Sequence, residues 1–306
     1  MKTIAWIGLG FMGIPMSKHM LNAGYTVRGV DIDAAAREAA VKNGVEVCAT
    51  VAEACKGVDA VFTMLPTGTE VKEVLTGPNG VFASIDPSTV VIDCSTIGIE
   101  NARAVHASAR KAGRIFAEAP VSGGTEGAID GSLTFMIGCE DPHVARVKEL
   151  LGPMGGYIAH AGGPEAGQAA KVVNNLIMGG CVAVNCEATA LAERLGLNLK
   201  EFFEIAIRST ADNWTFRVWN PGVGVVPTAP ASKGYKAGFK TWLLAKDLSL
   251  AMEAGREVGA TIATAEAAHA ILKKHMDNGG ADMDATSLVL SLKDAAEKAV
   301  PQKAIA

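Results

Sequence analysis

Thr3-Ile4-Ala5-Trp6-Ile7-Gly8-Leu9-Gly10-Phe11-Met12-Gly13 stands at the start of the chain, and its reading decides the fold. An apolar run enters three glycines spaced G-x-G-x-x-G, and a helical pattern, Ile14–Ala23, follows. Strand, glycine turn and helix in that order form the dinucleotide-binding fingerprint. Gly8 permits the tight turn, Gly10 lets the backbone approach a pyrophosphate, and Gly13 lets helix and strand pack closely. The phosphates then meet the free N–H groups of the helix N-terminus. The next apolar run, Thr26–Val30, leads to Asp31, 18 residues after Gly13. A carboxylate there accepts the ribose hydroxyls and repels a ribose phosphate. No arginine follows immediately; Ile32 and Asp33 come next. NAD is therefore expected over NADP, the competing reading being that Asp31 caps the next helix.

The alternation continues outward. Ala60–Leu65, Val90–Asp93 and Arg114–Glu118 read as further buried strands, Leu133–Gly138 and Gly156–Ala161 as a last pair, and Ala34–Asn43 as a helix. This pattern predicts an α/β fold: an N-terminal Rossmann domain, with a doubly wound parallel sheet covered on both faces. After about Gly163 the strand signals stop. Helical patterns follow at Gln168–Leu195, Lys200–Arg208, Phe239–Val258, Ala263–Asn278 and Ser287–Lys298. The stretch Asn220–Gly238, with Pro221, Pro227 and Pro230, reads as a loop. The expected division is a nucleotide domain over residues 1–163 and an all-helical C-terminal domain over residues 164–306.

Composition narrows the class. The chain has 306 residues, 49% hydrophobic and 20% charged, as in globular proteins. With 28 basic and 32 acidic residues the net charge is −4, which gives no bulk attraction for nucleic acid or an anionic membrane. Six cysteines lie scattered without C-x-x-C spacing or a histidine cluster, arguing for reduced thiols and neither a metal site nor a disulfide framework. No signal-peptide pattern opens the chain, and the charge-free apolar stretch from Val172 to Cys186 is too short to span a bilayer. A cytoplasmic, soluble protein without membrane or nucleic-acid partners is expected.

Three segments could carry chemistry. Ala119-Pro120-Val121-Ser122-Gly123-Gly124 exposes backbone N–H groups that can cradle a carboxylate, or is an ordinary turn. In Lys171-Val172-Val173-Asn174-Asn175, Lys171 and Asn175 share one helix face among apolar neighbours. Burial there would lower a lysine pKa toward neutrality and suit it to proton transfer. A solvated lysine near a helix end is the bland alternative. Lys246-Asp247-Leu248 lies on a later helix. Adjacent residues point in different directions, so an exposed charge pair is expected by default. The six histidines show no metal spacing and read as surface or structural.

In this order and spacing the segments resemble the β-hydroxyacid dehydrogenase family. The marks are Gly8 through Met16, Met64-Leu65-Pro66, Ser95-Thr96, Ala119 through Gly124, Lys171 through Asn175, and Lys246-Asp247-Leu248, which together span nearly the whole chain. The stretch from Pro221 through Phe239 to Lys246 resembles the 3-hydroxyisobutyrate dehydrogenase branch, which acts in valine breakdown. The resemblance implies an NAD-dependent oxidoreductase of the EC 1.1.1 class acting on a small hydroxy acid. It implies Lys171 as the acid–base residue, with Asn175 positioning the substrate. Ser122, Gly123 and Gly124 would hold the substrate carboxylate, and Trp214 and Trp219 would close over the substrate. Lys246 and Asp247 would lie near the nicotinamide and substrate. Leu9, Phe11, Met12, Ile32, Leu65, Pro66, Thr96 and Phe239 would join Gly8, Gly10, Gly13, Asp31 and Lys246 in the cofactor site. Sister activities on L-serine, 3-hydroxypropionate, 4-hydroxybutyrate or tartronate semialdehyde share these residues. A non-catalytic NAD-binding module is disfavoured because Lys171 is present. The resemblance also implies a homodimer or homotetramer, in keeping with the apolar helix after Gln168. Three positions depart from the family pattern: His19 for an asparagine, Glu118 for an aspartate, and Glu165 for a glycine.

Overall fold

Alternation of buried side chains on one strand explains why the first strand lies at the centre of a covered sheet. In β1 (Thr3–Ile7), Ile4 and Trp6 join one apolar core while Ala5 and Ile7 join the other, on the opposite face. A strand buried on both sides needs such a continuous apolar run. Trp6 stacks on Phe62 of the neighbouring strand, with ring centroids 5.0 Å apart. Each such buried side chain contributes about 1.5–3 kcal/mol relative to exposure. These features are taken from a computed structural model that describes residues 2–299, with side chains through residue 293. Residue 1 and residues 300–306, which the expected domain ranges include, lie outside the described residues.

The sheet has nine strands. After β1 come β2 (Thr26–Val30), β3 (Glu46–Val47), β4 (Ala60–Thr63), β5 (Val90–Asp93), β6 (Ile115–Glu118), β7 (Val121–Ser122), β8 (Leu133–Gly138) and β9 (Gly155–Gly162). Their order is β3-β2-β1-β4-β5-β6-β8-β7, with β9 also paired to β8. The strands from β1 to β6 are parallel, as expected. Beyond β6 the direction changes: β8 runs antiparallel to β6 and β7, and β9 parallel to β8. The order reverses between β1 and β4, and a doubly wound sheet binds its ligand beyond the carboxyl ends at that reversal. The turns after β1 and β4 are Gly8–Gly13 and Met64–Pro66.

The chain divides into two compact units, the first ending at Lys171 and the second starting at Val172. That division lies inside one helix, Ala166–Arg194, eight residues later than the expected boundary. By length and composition this helix could cross a membrane, with a mean hydropathy of 1.3 over its most apolar window. The charge-free stretch from Val172 to Cys186 lies within it. Half of that window is buried, as in the core helix of a globular domain.

The second unit contains helices Leu199–Ala206, Trp214–Val218, Thr241–Val258, Ala263–His275 and Leu288–Ala299. Trp219, Leu244, Leu248, Leu272 and Val289 lie in its core. Two expected helix ends shift. Thr241 replaces Phe239 as a start, because Asp284 Oδ2 accepts from the Gly238 and Phe239 N–H groups and holds them out of the helix. A wider turn, Met276–Gly280, with Gly279 at φ +91°, ends the next helix at His275.

Candidate active site

The glycine turn has the geometry its spacing predicts. Gly8 has φ +95°, and a β-carbon there would lie 2.2 Å from Met64 O. A β-carbon on Gly13 would lie 1.9 Å from Gly8 O, so helix and strand meet without room for a side chain. Gly10 faces open space, with nothing within 4 Å of an added β-carbon. That open backbone is the cradle a pyrophosphate needs, and the turn therefore fits a dinucleotide. Asp31 directly follows β2 and does not cap the next helix; Asp33 does, accepting from Ala35 N at 2.9 Å. Asp31 Oδ2 accepts from Leu9 N at 2.6 Å and Oδ1 from Asp33 N at 2.8 Å, which fixes the carboxylate beside the turn. Arg37, six residues on, donates to the carbonyls of Asp31 and Ile32 at 2.9 Å. No arginine follows Asp31 immediately in the chain, but the first turn of the next helix brings Arg37 back to this loop. Phe11 is exposed and Ile32 almost fully so. A depression of about 630 Å³ flanks the turn at Gly10, Phe11, Ile14, Lys18 and His19, but includes none of Asp31, Leu65 or Thr96.

The loops after β4 and β5 are tied together. Ser95 Oγ accepts from Leu65 N at 2.8 Å and donates to Asp93 Oδ1 at 2.6 Å. Thr63 Oγ1 also donates to that oxygen, at 2.7 Å. The second Asp93 oxygen is buried without a hydrogen-bond partner. Burial therefore pushes the Asp93 carboxyl up to about 6, against the pull of the Ser95 and Thr63 hydrogen bonds. Thr96 is half-buried and Pro66 exposed.

In the segment after β6, Ser122 pairs with Thr134 in the sheet, and Gly123 and Gly124 follow at φ +133° and +64°. Side chains rarely adopt either angle, so the two glycines are required by the turn. His19 donates to Ala128 O and Ile129 O at 3.0 Å, anchoring the first helix to the helix after this turn. Glu118, at the end of β6, is fully buried against His106. Burial raises its carboxyl pKa, with the His106 contact opposing. Glu165 has φ +77°, the left-handed region that glycine favours, and its carboxylate pairs with Arg103 at 3.0 Å.

Lys171 and Asn175 lie one turn apart on Ala166–Arg194 and both are buried, at 8% and 1% exposure. The solvated-lysine alternative is thereby excluded. Asn175 Nδ2 donates to Asp247 Oδ2 at 2.5 Å. Lys246 Nζ lies 3.1 Å from Asp247 Oδ1. The expected exposed, divergent charge pair is thus incorrect: Asp247 is buried, and the long lysine side chain bends back onto it. Of the aromatic candidates, Trp219 is buried in the helical core beside Phe239, at 6.1 Å between ring centroids, whereas Trp214 is half-exposed. Among the described residues no cluster of three or more potential metal ligands occurs, and all six cysteines are free thiols.

A sheet whose order reverses beside a glycine-rich turn, with an acidic residue just after the second strand, defines a dinucleotide-binding protein. Known proteins narrow the class. Residues 3–163 match the family described as the NAD binding domain of 6-phosphogluconate dehydrogenase. Residues 165–292 match that described as NAD-binding of NADP-dependent 3-hydroxyisobutyrate dehydrogenase. A probable 3-hydroxyisobutyrate dehydrogenase of Mycobacterium tuberculosis is 41% identical over 97% of this chain and all of its own. An NAD-dependent L-serine dehydrogenase of Pseudomonas aeruginosa is 40% identical over 93% of this chain and 95% of its own. A solved Mycobacterium tuberculosis 3-hydroxyisobutyrate dehydrogenase with L-serine superposes with a TM-score of 0.87, at 41% identity, covering 96% of this chain and 99% of that one. The chain belongs to the 3-hydroxyisobutyrate dehydrogenase family of NAD-binding oxidoreductases.

Proposed function

We propose that the protein moves hydride between NAD and the hydroxyl-bearing carbon of a small 3-hydroxy acid, with 3-hydroxyisobutyrate, oxidised to methylmalonate semialdehyde, as the preferred substrate. The observation that carries this reading is a buried lysine one turn from a buried asparagine that is itself held by an aspartate. NAD supplies the hydride acceptor when bound. Gly8, Gly10 and Gly13 would present the turn to its pyrophosphate, with Asp31 at the ribose. Leu9, Phe11, Met12, Ile32, Leu65, Pro66, Thr96, Phe239 and Lys246 would complete that site. Ser122, Gly123 and Gly124 would hold the substrate carboxylate. Lys171 would accept the hydroxyl proton during oxidation and return it during reduction. Asn175, fixed by Asp247, would orient the hydroxyl, and Trp214 and Trp219 would shelter the substrate from water.

L-serine is the second reading, favoured by the Pseudomonas relative's activity and by the ligand of the Mycobacterium structure. The two substrates differ by a methyl against an amino group, a contrast that pocket contacts discriminate by about 1–3 kcal/mol each. NAD reduction with 3-hydroxyisobutyrate, L-serine and 4-hydroxybutyrate in parallel, compared by kcat/KM, decides between them. In the preferred reaction Lys171→Ala is expected to lower kcat by about 10²–10⁴-fold while NAD still binds. Retained turnover would remove Lys171 from the mechanism.

We further infer a cytoplasmic enzyme with a cofactor domain over residues 1–163 and a helical domain over residues 164–306, working without nucleic-acid or membrane partners. A homodimer or homotetramer fits the exposed apolar stripe Val173, Ile177, Val184 and Leu191 on the long helix. A monomer mass in sedimentation at micromolar concentration would remove that assignment.

A further inference from the structure

Gln168 is fully buried three residues before Lys171, and the mechanism above gives it no task. Its amide oxygen accepts from Ile97 N at 3.0 Å and Gly98 N at 3.2 Å. Its amide nitrogen donates to Ser95 O at 2.8 Å. These three groups belong to the loop after β5, which also carries Thr96. Ser95 then reaches the loop after β4 through Leu65 N, and the sheet through Asp93. Hydrogen bonds thus run without a break from both cofactor loops to the first turn of the helix that bears Lys171.

The same turn is held a second time. Glu118 Oε1 accepts from Gly167 N at 3.2 Å, and His106 holds its other oxygen. Gly138 and Gly167 make room for this carboxylate: a β-carbon on Gly138 would lie 1.9 Å from Glu118 Oε1, and one on Gly167 would lie 2.4 Å from Met136 O. Buried hydrogen bonds of this kind are directional and costly to leave unmade. Two adjacent residues gripped at their backbone and side chain fix the rotation of a helical turn about its axis. The azimuth of Lys171, within the same turn, follows from theirs.

We propose that Gln168, seconded by Glu118, is a positioning residue for the acid–base step, locking the turn that bears Lys171 to the loops after β4 and β5. The proposal rests on Lys171 being the acid–base group. It predicts that loosening the lock misplaces the lysine without weakening either ligand's own contacts.

Gln168→Met keeps the side-chain length and loses all three hydrogen bonds. In the full-length enzyme with NAD and the best hydroxy acid, kcat is expected to fall about ten- to a hundredfold, the usual penalty for misalignment on the ångström scale. The KM for the acid and the Kd for NAD should each change by less than about threefold. The deuterium isotope effect on kcat, with label on the hydroxyl-bearing carbon, should rise as hydride transfer becomes rate-limiting. Gln168→Glu, which keeps the acceptor for Ile97 and Gly98, should recover part of the loss. Wild-type kcat and isotope effect in Gln168→Met would overturn the proposal, as would an NAD Kd that weakens in step with kcat. Should Gln168→Met fail to fold, Gln168→Leu, which also lacks every hydrogen-bonding atom but is shorter, carries the test, and wild-type kcat there overturns the proposal equally. Undiminished turnover in Lys171→Ala would sink the acid–base reading itself. An inactive Lys171→Ala beside a fully active Gln168→Met would sink only the lock.

Discussion

Glu165 carries a backbone conformation that its side chain opposes. At φ +77° an ordinary residue gives up roughly 1–2 kcal/mol to the contact between its β-carbon and the carbonyl. The compensating ion pair with Arg103 is partly exposed, and such pairs contribute about 0.2–1 kcal/mol. Glu165→Ala keeps the strain and loses the pair, whereas Glu165→Gly loses the pair but sheds the strain. Denaturant unfolding should place Glu165→Gly above Glu165→Ala by about 1 kcal/mol. The reverse order would mean that the left-handed turn is not kept in solution. At this scale the sequence shows residue types well and their partners poorly. Gly8, Gly13, Asp31, Lys171 and Asn175 were legible because each stands at a fixed offset within one motif. The Lys246–Asp247 contact was not, because adjacent Cβ atoms diverge and only a long, flexible side chain can turn back. Gln168 gave no signal, since its partners lie some 70 positions away in the chain.

Elements carry the next kind of information, because a turn's shape constrains whole strands and helices. Gly10 and Gly13 are both glycines of the one motif, and the structure separates the work they do. A methyl on Gly13 collides with Gly8 O inside the strand–helix contact, whereas a methyl on Gly10 meets nothing in the protein. Gly13→Ala is therefore expected to destabilise the first unit by about 1–3 kcal/mol or more, as overpacking does. Gly10→Ala should unfold like wild type and lose NAD affinity, because its β-carbon occupies the cofactor's approach. Thermal unfolding and NAD titration of both variants check the contrast. Stability loss in Gly10→Ala with NAD binding intact would overturn it. The strands of the parallel half were legible because burial on both faces demands unbroken apolar runs, as in Val90–Asp93. β3 and β7, two residues each, are too short for any periodicity. The direction of β8 was hidden for another reason: its pairing with β6 rests on a single contact between Glu118 and Gly138, far apart in sequence. The helix Trp214–Val218 begins at an Asn213 cap that accepts from Phe216 N, but one turn of helix carries no stripe to read.

For the whole molecule, buried acids and a buried histidine set opposing pH dependences of stability. Burial raises Asp93 to about 6 in the fold from 3.8 in the open chain, and it raises Glu118 and Asp284 in the same sense. A raised acid binds its proton more tightly when folded. Its penalty is absent below the open-chain value, grows as pH rises, and is complete above the folded value. His275, held between Ser287 and Ser291, is lowered from 6.5 by burial, so its contribution is present above 6.5 and lost as pH falls through its folded value. Asp93 can be isolated from the other groups, because asparagine keeps the oxygen that accepts from Thr63 and Ser95 and does not titrate. Between pH 5 and pH 7 the wild type should lose on the order of 1 kcal/mol relative to Asp93→Asn, roughly half or less of what the full shift on Asp93 is worth. Urea unfolding of both nucleotide-free proteins at the two pH values measures this difference. Parallel pH profiles would show instead that Asp93 is already ionised at pH 5. Because Asp93 accepts from Ser95, and Ser95 holds Leu65, the carboxyl that sets this pH dependence also ties the loops after β4 and β5 together.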